Sequence, residues 1–379
     1  MKEIEMKENL KILVVDDTIF YRTLLTKLVE AIPGTEVIGI ASNGELAVKK
    51  VELARPDLVL MDVAMPKMDG LEALEKISRE YPEVDVVMVS GIETEAAGMT
   101  VKALEKGALD FVPKPRTDSK ETATEELTSA LIPLIKLART RANSRRANAF
   151  HSAEPAEVVK DPLIHPAQPE AVVKKRIAGR EKREIPRIDL VAVGVSTGGP
   201  NALKKIIPQI GADLPVPILA VQHMPPVFTA TLAESLNRLS AISVKEGGAG
   251  QTAENGCMYL APGGHHMVVR KNGMRKLLLD IADSPKVHNC RPAVDVLFRS
   301  IAVACGANVL AVILTGMGSD GAAGVAAIRR KGGFCLVQDK ATSVVWGMPG
   351  AVAEAGDADE IHPEEKIAPR IMQLVKKGR

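Results

Sequence analysis

Three side chains in the second half of the sequence could together perform acyl transfer. Ser196 follows the run IDLVAVGV, His223 follows VPILAVQ, and Asp320 stands in TGMGSDG just beyond NVLAVIL. A serine hydroxyl is a weak nucleophile near neutral pH, so it needs an imidazole to take its proton and a carboxylate to orient that imidazole. Because the carboxyl ends of parallel strands meet at one edge of a sheet, these segments predict a serine–histidine–aspartate site at that edge.

Two glycine-rich turns carry the serine and the aspartate. In GVSTGGP, Gly198 and Gly199 allow the backbone to turn sharply into the helix that follows. Amides at the start of a helix suit the negative charge that develops on a substrate oxygen, so Thr197, Gly198 and Gly199 are candidates for this oxyanion loop. Met317, in the second turn TGMGSDG, is a candidate for the other amide donor.

Each of these residues has another interpretation when it is taken alone. A dinucleotide-binding loop would read GxGxxG with an acidic residue about 20 positions later, and GVSTGGP has neither feature. The nucleophile turn of α/β-hydrolases would read GxSxG, and its acid would precede its histidine. A phosphate-binding loop without catalysis stays open, as do a capping or core histidine at His223 and an ordinary helix N-cap at Asp320. The triad depends on the three residues occurring together.

A second set of polar residues follows the predicted strands of the first third of the chain. Its members are Asp16, Asp17, Asp62, Ser90 and Lys114. Three carboxylates at one sheet edge repel one another, and a hard divalent cation such as Mg²⁺ relieves that repulsion. The hydroxyl of Ser90 and the ammonium of Lys114 suit the oxygens of an acquired phosphoryl group. Helix N-capping would account for one or two of the acids but not for the whole set.

Alternating strand and helix patterns position both sets of residues. In roughly the first 120 residues, five apolar runs such as LKILVV and DLVLM alternate with helical segments, which predicts βαβ crossovers and a buried parallel sheet. A second such pattern begins at residue 188, and within it GCMYLAPGGHHMVVRKNGMRKLLLD predicts a small antiparallel excursion around KNGM. We therefore predict an α/β fold with two doubly wound parallel-sheet domains, one flavodoxin-like and one Rossmann-like, joined by a flexible linker.

The predicted boundaries are 9–125 for the first domain, 126–187 for the linker and 188–377 for the second domain. The run TEELTSALIPLIKLARTRANSRR is typical of a last helix with a basic end. The prolines and clustered charges that follow it indicate a flexible, net-basic tether. A nucleic-acid-binding arm is the alternative, but the segment lacks the interleaved aromatic residues that such arms use.

Composition and charge limit the other possible functions. The sequence has 379 residues and a formal net charge of +2, so no overall field attracts it to nucleic acid. The N-terminus MKEIEMKENL lacks the apolar segment of a secretory signal, and the longest apolar runs are shorter than the ~20 residues of a membrane helix. Four cysteines without CxxC spacing indicate free thiols, so we expect a cytoplasmic protein, with a monomer as the default.

The first set of polar residues resembles the receiver domain of two-component response regulators. The resemblance covers roughly residues 9–125 and rests on five dispersed residues that occur in the order typical of that family. It implies that Asp62, within MDVAMPKMDG, is phosphorylated. It also implies that Mg²⁺ is held by Asp17, by Asp62 and, through water, by Asp16.

The same resemblance implies which residues respond to phosphorylation. Ser90 and Lys114 would respond to the phosphoryl group directly. Phe111 would be the switch aromatic, at a position where many receivers have tyrosine. Gly91, which follows Ser90, is a small-residue variation that leaves the pocket intact.

The second half resembles the catalytic domain of the chemotaxis protein-glutamate methylesterase (CheB) family. Five motifs carry the likeness: GVSTGGP, VQHMPP, APGGHHM, RPAVDVLF and LTGMGSDGAAG. Together with a receiver and a linker in front, the likeness covers nearly the whole chain. It implies that Ser196 is the nucleophile, His223 the base and Asp320 the orienting acid.

Three further residues in these motifs lie outside the implied triad. HNCRPAVDVLF has Cys290 where the family would have histidine, and we expect this difference to affect the substrate rim or packing and not the triad. His265 and His266 are interpreted as structural or substrate-lining residues, because no third ligand has the spacing of a zinc site. No cofactor is expected for the hydrolase chemistry.

The resemblance implies a phosphorylation-activated serine hydrolase of chemotactic adaptation. Methylated glutamates on methyl-accepting chemotaxis receptors would lose methanol, and particular receptor glutamines would be deamidated. A chemotaxis histidine kinase would phosphorylate Asp62, and the unphosphorylated receiver would cover the catalytic face. One rival class is a response regulator whose second domain only binds a partner, which would lack a triad residue. The other is a transcriptional regulator, for which no helix-turn-helix pattern occurs.

Overall fold

The computed structural model describes four stretches of the chain: residues 8–115, 119–151, 185–274 and 276–377. The chain divides into two units, residues 1–160 and 161–379, and each unit contains one large parallel sheet. A helix that could cross a bilayer would have to be long and uniformly apolar, and none of those within the described stretches is.

In the described part of the first unit, buried strands alternate with helices. The strands are β1 (Leu10–Val15), β2 (Thr35–Ala41), β3 (Leu58–Asp62), β4 (Asp85–Ser90) and β5 (Asp110–Pro113). The helices are α1 (Ile19–Glu30), α2 (Gly44–Ala54), α3 (Gly70–Glu80), α4 (Thr94–Glu105) and α5 (Lys120–His151). The strands are parallel, in the order β2-β1-β3-β4-β5. Since β2 and β3 flank β1, the carboxyl ends of β1 and β3 form the topological switch point of this sheet.

Polar side chains fix where the first three helices begin. Thr18, Asn43 and Asp69 each accept a hydrogen bond from a backbone amide in the first turn of α1, α2 and α3, respectively. Such caps satisfy amides that have no partner inside the helix. Helices α1 and α2 start within a few residues of β1 and β2, whereas residues 63–69 form a longer loop between β3 and α3.

Helix α5 extends the first unit past the predicted domain boundary at residue 125. Its buried side chains recur at helical spacing: Leu127, Leu131, Ile135, Ala138 and Ala142. Arg141 on this helix pairs with the buried Asp85, so an acid of the sheet balances part of the basic end. The helix predicted from TEELTSALIPLIKLARTRANSRR is therefore present and continues to residue 151, and the part of the predicted tether from 152 to 184 lies outside the described residues.

The second unit is built around a seven-stranded sheet. Its strands are β6 (Leu190–Val195), β7 (Ile218–Gln222), β8 (Ser243–Glu246), β9 (Cys257–Leu260), β12 (Val309–Ile313), β13 (Phe334–Gln338) and β14 (Glu360–His362). A separate hairpin consists of β10 (His266–Lys271) and β11 (Leu277–Ala282). The helices are α6 (Gly199–Ile206), α7 (Phe228–Leu239), α8 (Val294–Cys305), α9 (Ala322–Arg330), α10 (Met348–Ala355) and α11 (Glu364–Lys376).

The order of this sheet brings the predicted site residues to one edge. The strands are parallel, in the order β14-β13-β12-β6-β7-β9-β8. The chain moves from β6 to one side through β7 and later builds the other side from β12, so the switch point lies between β6 and β12. Ser196 directly follows β6 and Asp320 lies beyond β12, on the two sides of this point.

The predicted fold class, two parallel-sheet α/β domains, is confirmed, with differences in the second unit. The sequence places β9 in the antiparallel excursion, but β9 pairs in parallel with β7 and β8 because its residues 258–260 are fully buried in the main sheet. The hairpin around the predicted turn is formed by β10 and β11. Strands β8 and β14 are short and half-buried, so they lack the long apolar runs that reveal the other strands.

Candidate active site

The backbone of Ser196 is fixed on both sides. Its amide donates to the Thr315 carbonyl (3.0 Å), and its own carbonyl accepts from the Gly199 amide (2.7 Å) and from Gln222 Nε2 (3.1 Å). A side chain at residue 199 would collide with Gln222 Oε1, so the turn requires glycine there. These contacts hold the partly buried Ser196 side chain at the edge of the sheet.

His223 links the serine to the aspartate. It directly follows β7, and its amide donates to the Val195 carbonyl (3.2 Å). Its Nδ1 lies 3.1 Å from Ser196 Oγ, and its Nε2 lies 2.8 Å from Asp320 Oδ2. Because an ionised carboxylate only accepts hydrogen bonds, Nε2 carries the proton and the lone pair of the neutral ring is on Nδ1, facing the serine.

The carboxylate of Asp320 is buried and held by the first turn of α8. Its Oδ2 accepts from the Val294 amide (2.7 Å) and its Oδ1 from the Asp295 amide (2.9 Å). Burial alone would raise the pKa of Asp320, but the hydrogen bonds from His223 and from these two amides lower it below its ordinary value. The group therefore stays ionised beside the imidazole.

Cys290 contacts the same imidazole nitrogen as the serine. Its Sγ lies 3.6 Å from His223 Nδ1, so the expectation that this residue affects only the rim or the packing is wrong. Burial alone would lower the pKa of His223, but Asp320 and Cys290 raise it above the ordinary imidazole value of about 6.5. All four cysteines are free thiols, as expected.

The predicted oxyanion residues differ in whether their amides have a partner. The Gly199 amide donates to the Ser196 carbonyl, so it belongs to the turn. Within the described residues, no acceptor contacts the amides of Thr197, Gly198 or Met317. Gly198 has a φ of +76°, in the region that favours glycine, and a side chain there would also collide with Val344.

A cavity of about 330 Å³ adjoins His223. Its lining includes Met224, Pro225, Lys286, Cys290 and Arg291. Of the three predicted catalytic residues, His223 therefore borders a space that combines apolar surface with two cationic side chains.

His266 holds the loop that forms one wall of this cavity. It is fully buried, its Nδ1 accepts from the Ala293 amide (3.2 Å), and its Nε2 donates to the Pro285 carbonyl (3.1 Å). His265 is about half exposed and pairs with Asp283. The two hydrogen bonds of the buried imidazole support a structural role for His266.

The sequence analysis missed a loop that interlocks with both glycine-rich turns. Residues 343–347 lie between β13 and α10, and Val344 packs over Gly198. The Gly316 amide donates to the Val345 carbonyl (3.1 Å), and the Gly347 amide returns a bond to the Gly316 carbonyl (3.1 Å). The run WGMPG, which marks the start of α10, was the available signal for this loop.

The acid pocket of the first unit also lies at its switch point. Lys114 Nζ bridges Asp16 Oδ2 (2.8 Å) and Asp62 Oδ2 (2.9 Å), and the ring of Tyr21 covers it at 4.4 Å. Burial and, to a smaller extent, Asp16 raise the pKa of Asp62, although Lys114 acts in the opposite direction. Burial alone would lower the pKa of Lys114, but the two carboxylates raise it.

The other predicted residues of this pocket surround the acids. One carboxylate oxygen from each of Asp16, Asp17 and Asp62 lies within 4.8 Å of the others, and Asp17 is exposed. Ser90 is fully buried at the end of β4 and accepts a hydrogen bond from Thr100 Oγ1 (2.7 Å). Phe111 is half-buried in β5.

Comparisons with protein families match both units. The model described as CheB methylesterase matches residues 191–371, and the model described as response regulator receiver domain matches residues 12–124. A protein of Desulfotalea psychrophila named protein-glutamate methylesterase/protein-glutamine glutaminase is 41% identical over 373 residues, 97% of this chain and 99% of that one. A Trichodesmium erythraeum protein of the same name is 39% identical and covers 96% of this chain and 99% of its own.

Among solved structures, the catalytic domain of a Thermotoga maritima CheB methylesterase is similar to part of this chain. It is 41% identical, covers 50% of this chain and 99% of its own, and has a TM-score of 0.49.

Proposed function

The chain belongs to the CheB methylesterase family, and on this premise we propose that it is a phosphorylation-activated serine hydrolase. It hydrolyses glutamate methyl esters on chemoreceptors, releases methanol, and deamidates receptor glutamines by the same acyl chemistry. The observation that carries the proposal is the hydrogen-bonded relay from Ser196 through His223 to Asp320, beside an open cavity.

The reaction begins at the serine. Ser196 Oγ forms a bond to the ester carbon while its proton moves to His223 Nδ1. The resulting imidazolium then gives this proton to the methoxy oxygen, the bond from carbon to that oxygen breaks, and methanol leaves. Water attacks the glutamyl–serine ester with the same imidazole as base, which restores the serine. In deamidation, ammonia takes the place of methanol.

Asp320 acts on this reaction through the imidazole. It holds the Nε2–H tautomer and stabilises the positive charge that the ring carries after Ser196 is deprotonated. Its lowered pKa supports this role, because a protonated acid could not offset that charge.

The negative charge of the tetrahedral intermediate needs amide donors. The amides of Thr197, Gly198 and Met317 suit this role, because no other acceptor contacts them within the described residues. The Gly199 amide has a different role, since it closes the turn that aims Ser196. Deamidation uses the same donors, because its intermediate also carries the charge on oxygen.

The first unit supplies the regulation, with Asp62 as the phosphoryl acceptor. Asp16, Asp17 and Asp62 would hold Mg²⁺, and their clustered carboxylate oxygens fit the hard-ligand preference of this ion. Such an ion supplies positive charge that offsets the carboxylates and the phosphoryl group. The Lys114 ammonium, already in contact with Asp62, is placed to pair with a phosphoryl oxygen.

Phosphorylation would be read by residues around this pocket. Ser90 would turn its hydroxyl toward the phosphoryl group, giving up its present contact with Thr100, and Phe111 would change its packing. The phosphodonor is a chemotaxis histidine kinase, and the substrates are methyl-accepting chemotaxis receptors.

Methanol release from methylated receptor membranes tests the proposal. The wild-type chain should release methanol from these membranes without alkaline treatment, and adding a small acyl phosphate should increase the rate of release. The Asp62→Asn variant should release methanol at the basal rate but should not respond to the acyl phosphate. A wild-type chain that binds receptors without releasing methanol would support a binding-only output. An increase that persists in Asp62→Asn would reject Asp62 as the acceptor.

A further inference from the structure

Two buried carboxylates hold the starts of α8 and α9 in a crossed arrangement. Asp320, which precedes α9, accepts the amides of Val294 and Asp295 in α8 (2.7 and 2.9 Å). The Asp295 side chain in turn accepts the amides of Gly321 and Gly324 at the start of α9 (3.0 and 2.7 Å). Each helix start is thus satisfied by a carboxylate of the other segment, and we call these four hydrogen bonds the crossed clasp.

The clasp is buried where the two helices touch. Asp295 is 1% exposed, and a side chain on Gly324 would lie 2.5 Å from the Cβ atom of Phe298, so the helix backbones approach closely. A buried carboxylate is unfavourable unless several donors satisfy it. Two buried carboxylates at a single helix contact therefore do more than cap their own helices, because each one fixes the start of the other segment's helix.

The charged groups that face Asp295 come from three segments. His288 Nε2 lies 3.1 Å and Arg299 Nη2 lies 3.7 Å from Asp295 Oδ2. A carboxylate oxygen of Asp320 lies within 4.8 Å of one of Asp295. His288, Asp295 and Asp320 are also spaced for a metal ion, but four backbone amides already occupy the two carboxylates.

The crossed clasp fixes the position of Asp320, the last member of the relay. Asp320 Oδ2 points at His223 Nε2 (2.8 Å), and the residue after it, Gly321, is tied by its amide to Asp295. We propose that Asp295 is a positioning residue for the hydrolase, which holds the Asp320 carboxylate in line with His223 and adds negative charge behind it. This inference rests on the proposed function for its kinetic consequence, but its electrostatic consequence can be measured independently.

The first test is an NMR titration of the His223 imidazole in the full-length chain. Asp295→Asn keeps an oxygen for the Gly321 and Gly324 amides but removes the charge, so the imidazolium loses support and its pKa should fall by roughly half a unit or more. The matched control is Asp85→Asn, which removes the charge of a buried carboxylate in the first unit that pairs with Arg141. The control should leave the His223 titration unchanged.

Steady-state methanol release supplies the second readout. Asp295→Asn should lower kcat about 10- to 100-fold with KM nearly unchanged, because a misplaced orienting group affects the chemical step. An unchanged His223 titration with an unchanged kcat would overturn the inference. A wild-type chain without any methanol release would instead overturn the proposed function, and the titration would still decide the placement of Asp295.

His288→Gly keeps the inference testable if Asp295→Asn does not fold. Residue 288 has a φ of +52°, which glycine adopts without strain, and its side chain is 43% exposed. Removing this donor leaves the charge of the two carboxylates less compensated, so they should stabilise the His223 imidazolium more strongly and the pKa of His223 should rise. A fall or no change would contradict the inference.

Discussion

The acid pocket of the first unit and the relay of the second unit obey the same topological rule but treat their carboxylates differently. Both sites lie where the strand order reverses, between β1 and β3 in one sheet and between β6 and β12 in the other. In the first, Asp62 faces the mobile ammonium of Lys114 and accepts a single backbone amide, that of Val63, and burial raises its pKa. In the second, Asp320 faces backbone amides of a helix start, and its pKa is lowered.

This difference corresponds to what each carboxylate would do. An acid that accepts a phosphoryl group must change its charge and its partners, and a lysine side chain can rotate to follow that change. An acid that orients an imidazole must keep both charge and position, and amides of a packed helix cannot rotate away. The donors around an aspartate at such a sheet edge thus decide its role. A rotatable lysine suits an acid that is modified, and fixed backbone amides suit an acid that orients a neighbour.

The largest expected effect separates the two sites completely. Ser196→Ala removes the nucleophile, so the rate of ester hydrolysis should fall by about 10⁶-fold. The residual rate would come from substrate binding and the amide donors alone. The first unit should still accept phosphate from a small acyl phosphate, because none of its pocket residues is changed. Methanol release and phosphoprotein gels on the same preparation would check both statements, and lost phosphorylation would argue that the variant is misfolded.

Asp320→Asn should have the second largest effect. It keeps the shape of the side chain but favours the wrong imidazole tautomer, so turnover should fall by about 10⁴-fold while the fold is retained. Circular dichroism and methanol release would measure this. If the variant were fully active, Asp320 would not be the orienting acid.

The contrast between Asp320 and Asp62 can be measured as the change in the free energy of unfolding when each is replaced by asparagine. Asp320→Asn replaces an ionised acceptor of backbone amides, which should cost about 1–3 kcal/mol of unfolding free energy at neutral pH. Asp62→Asn removes a charge that burial disfavours, so the free energy of unfolding should stay unchanged or rise. Urea unfolding of the two variants would compare them, and equal losses would remove the distinction drawn between the sites.

The sequence allowed the strand ends to be predicted but not every partner at those ends. Ser196, His223 and Asp320 each follow an apolar run, so their edge was predictable from periodicity. Val294 and Asp295 begin a helix about 25 positions before Asp320. No local sequence pattern indicates that the amides of these two residues donate to the Asp320 carboxylate. Such contacts depend on how helices pack, which is not encoded in strand alternation.

Cys290 shows the same limit on a smaller scale. It closes a turn in which His288 and Asn289 both have positive φ values (+52° and +59°), and His-Asn carries no glycine to signal such a turn. Its amide and carbonyl both bond to Val287 (2.9 and 3.1 Å), and this turn brings the thiol to the imidazole. From the sequence alone, the residue could be placed only near the rim.

The smallest expected effect concerns pH. Because the pKa of His223 is raised, the base form is lost at a higher pH than in an ordinary histidine, so kcat/KM should rise with pH through an apparent pKa above about 6.5. Cys290→Ala should move this acidic limb to lower pH, since one of the groups that raise the pKa is removed. A pH–rate series on both proteins would measure this, and a limb at or below 6.5 in the wild type would contradict it.

The central claim, that serine, imidazole and carboxylate act as one relay, is tested most directly by combining substitutions in the full-length chain. Methanol release should be measured for His223→Gln, for Asp320→Asn and for the double variant. Because Asp320 acts through the imidazole, its substitution should cost about 10⁴-fold in the wild-type background and nothing further once His223 is replaced. Losses that multiply in the double variant would show that the two residues act independently and would contradict the relay.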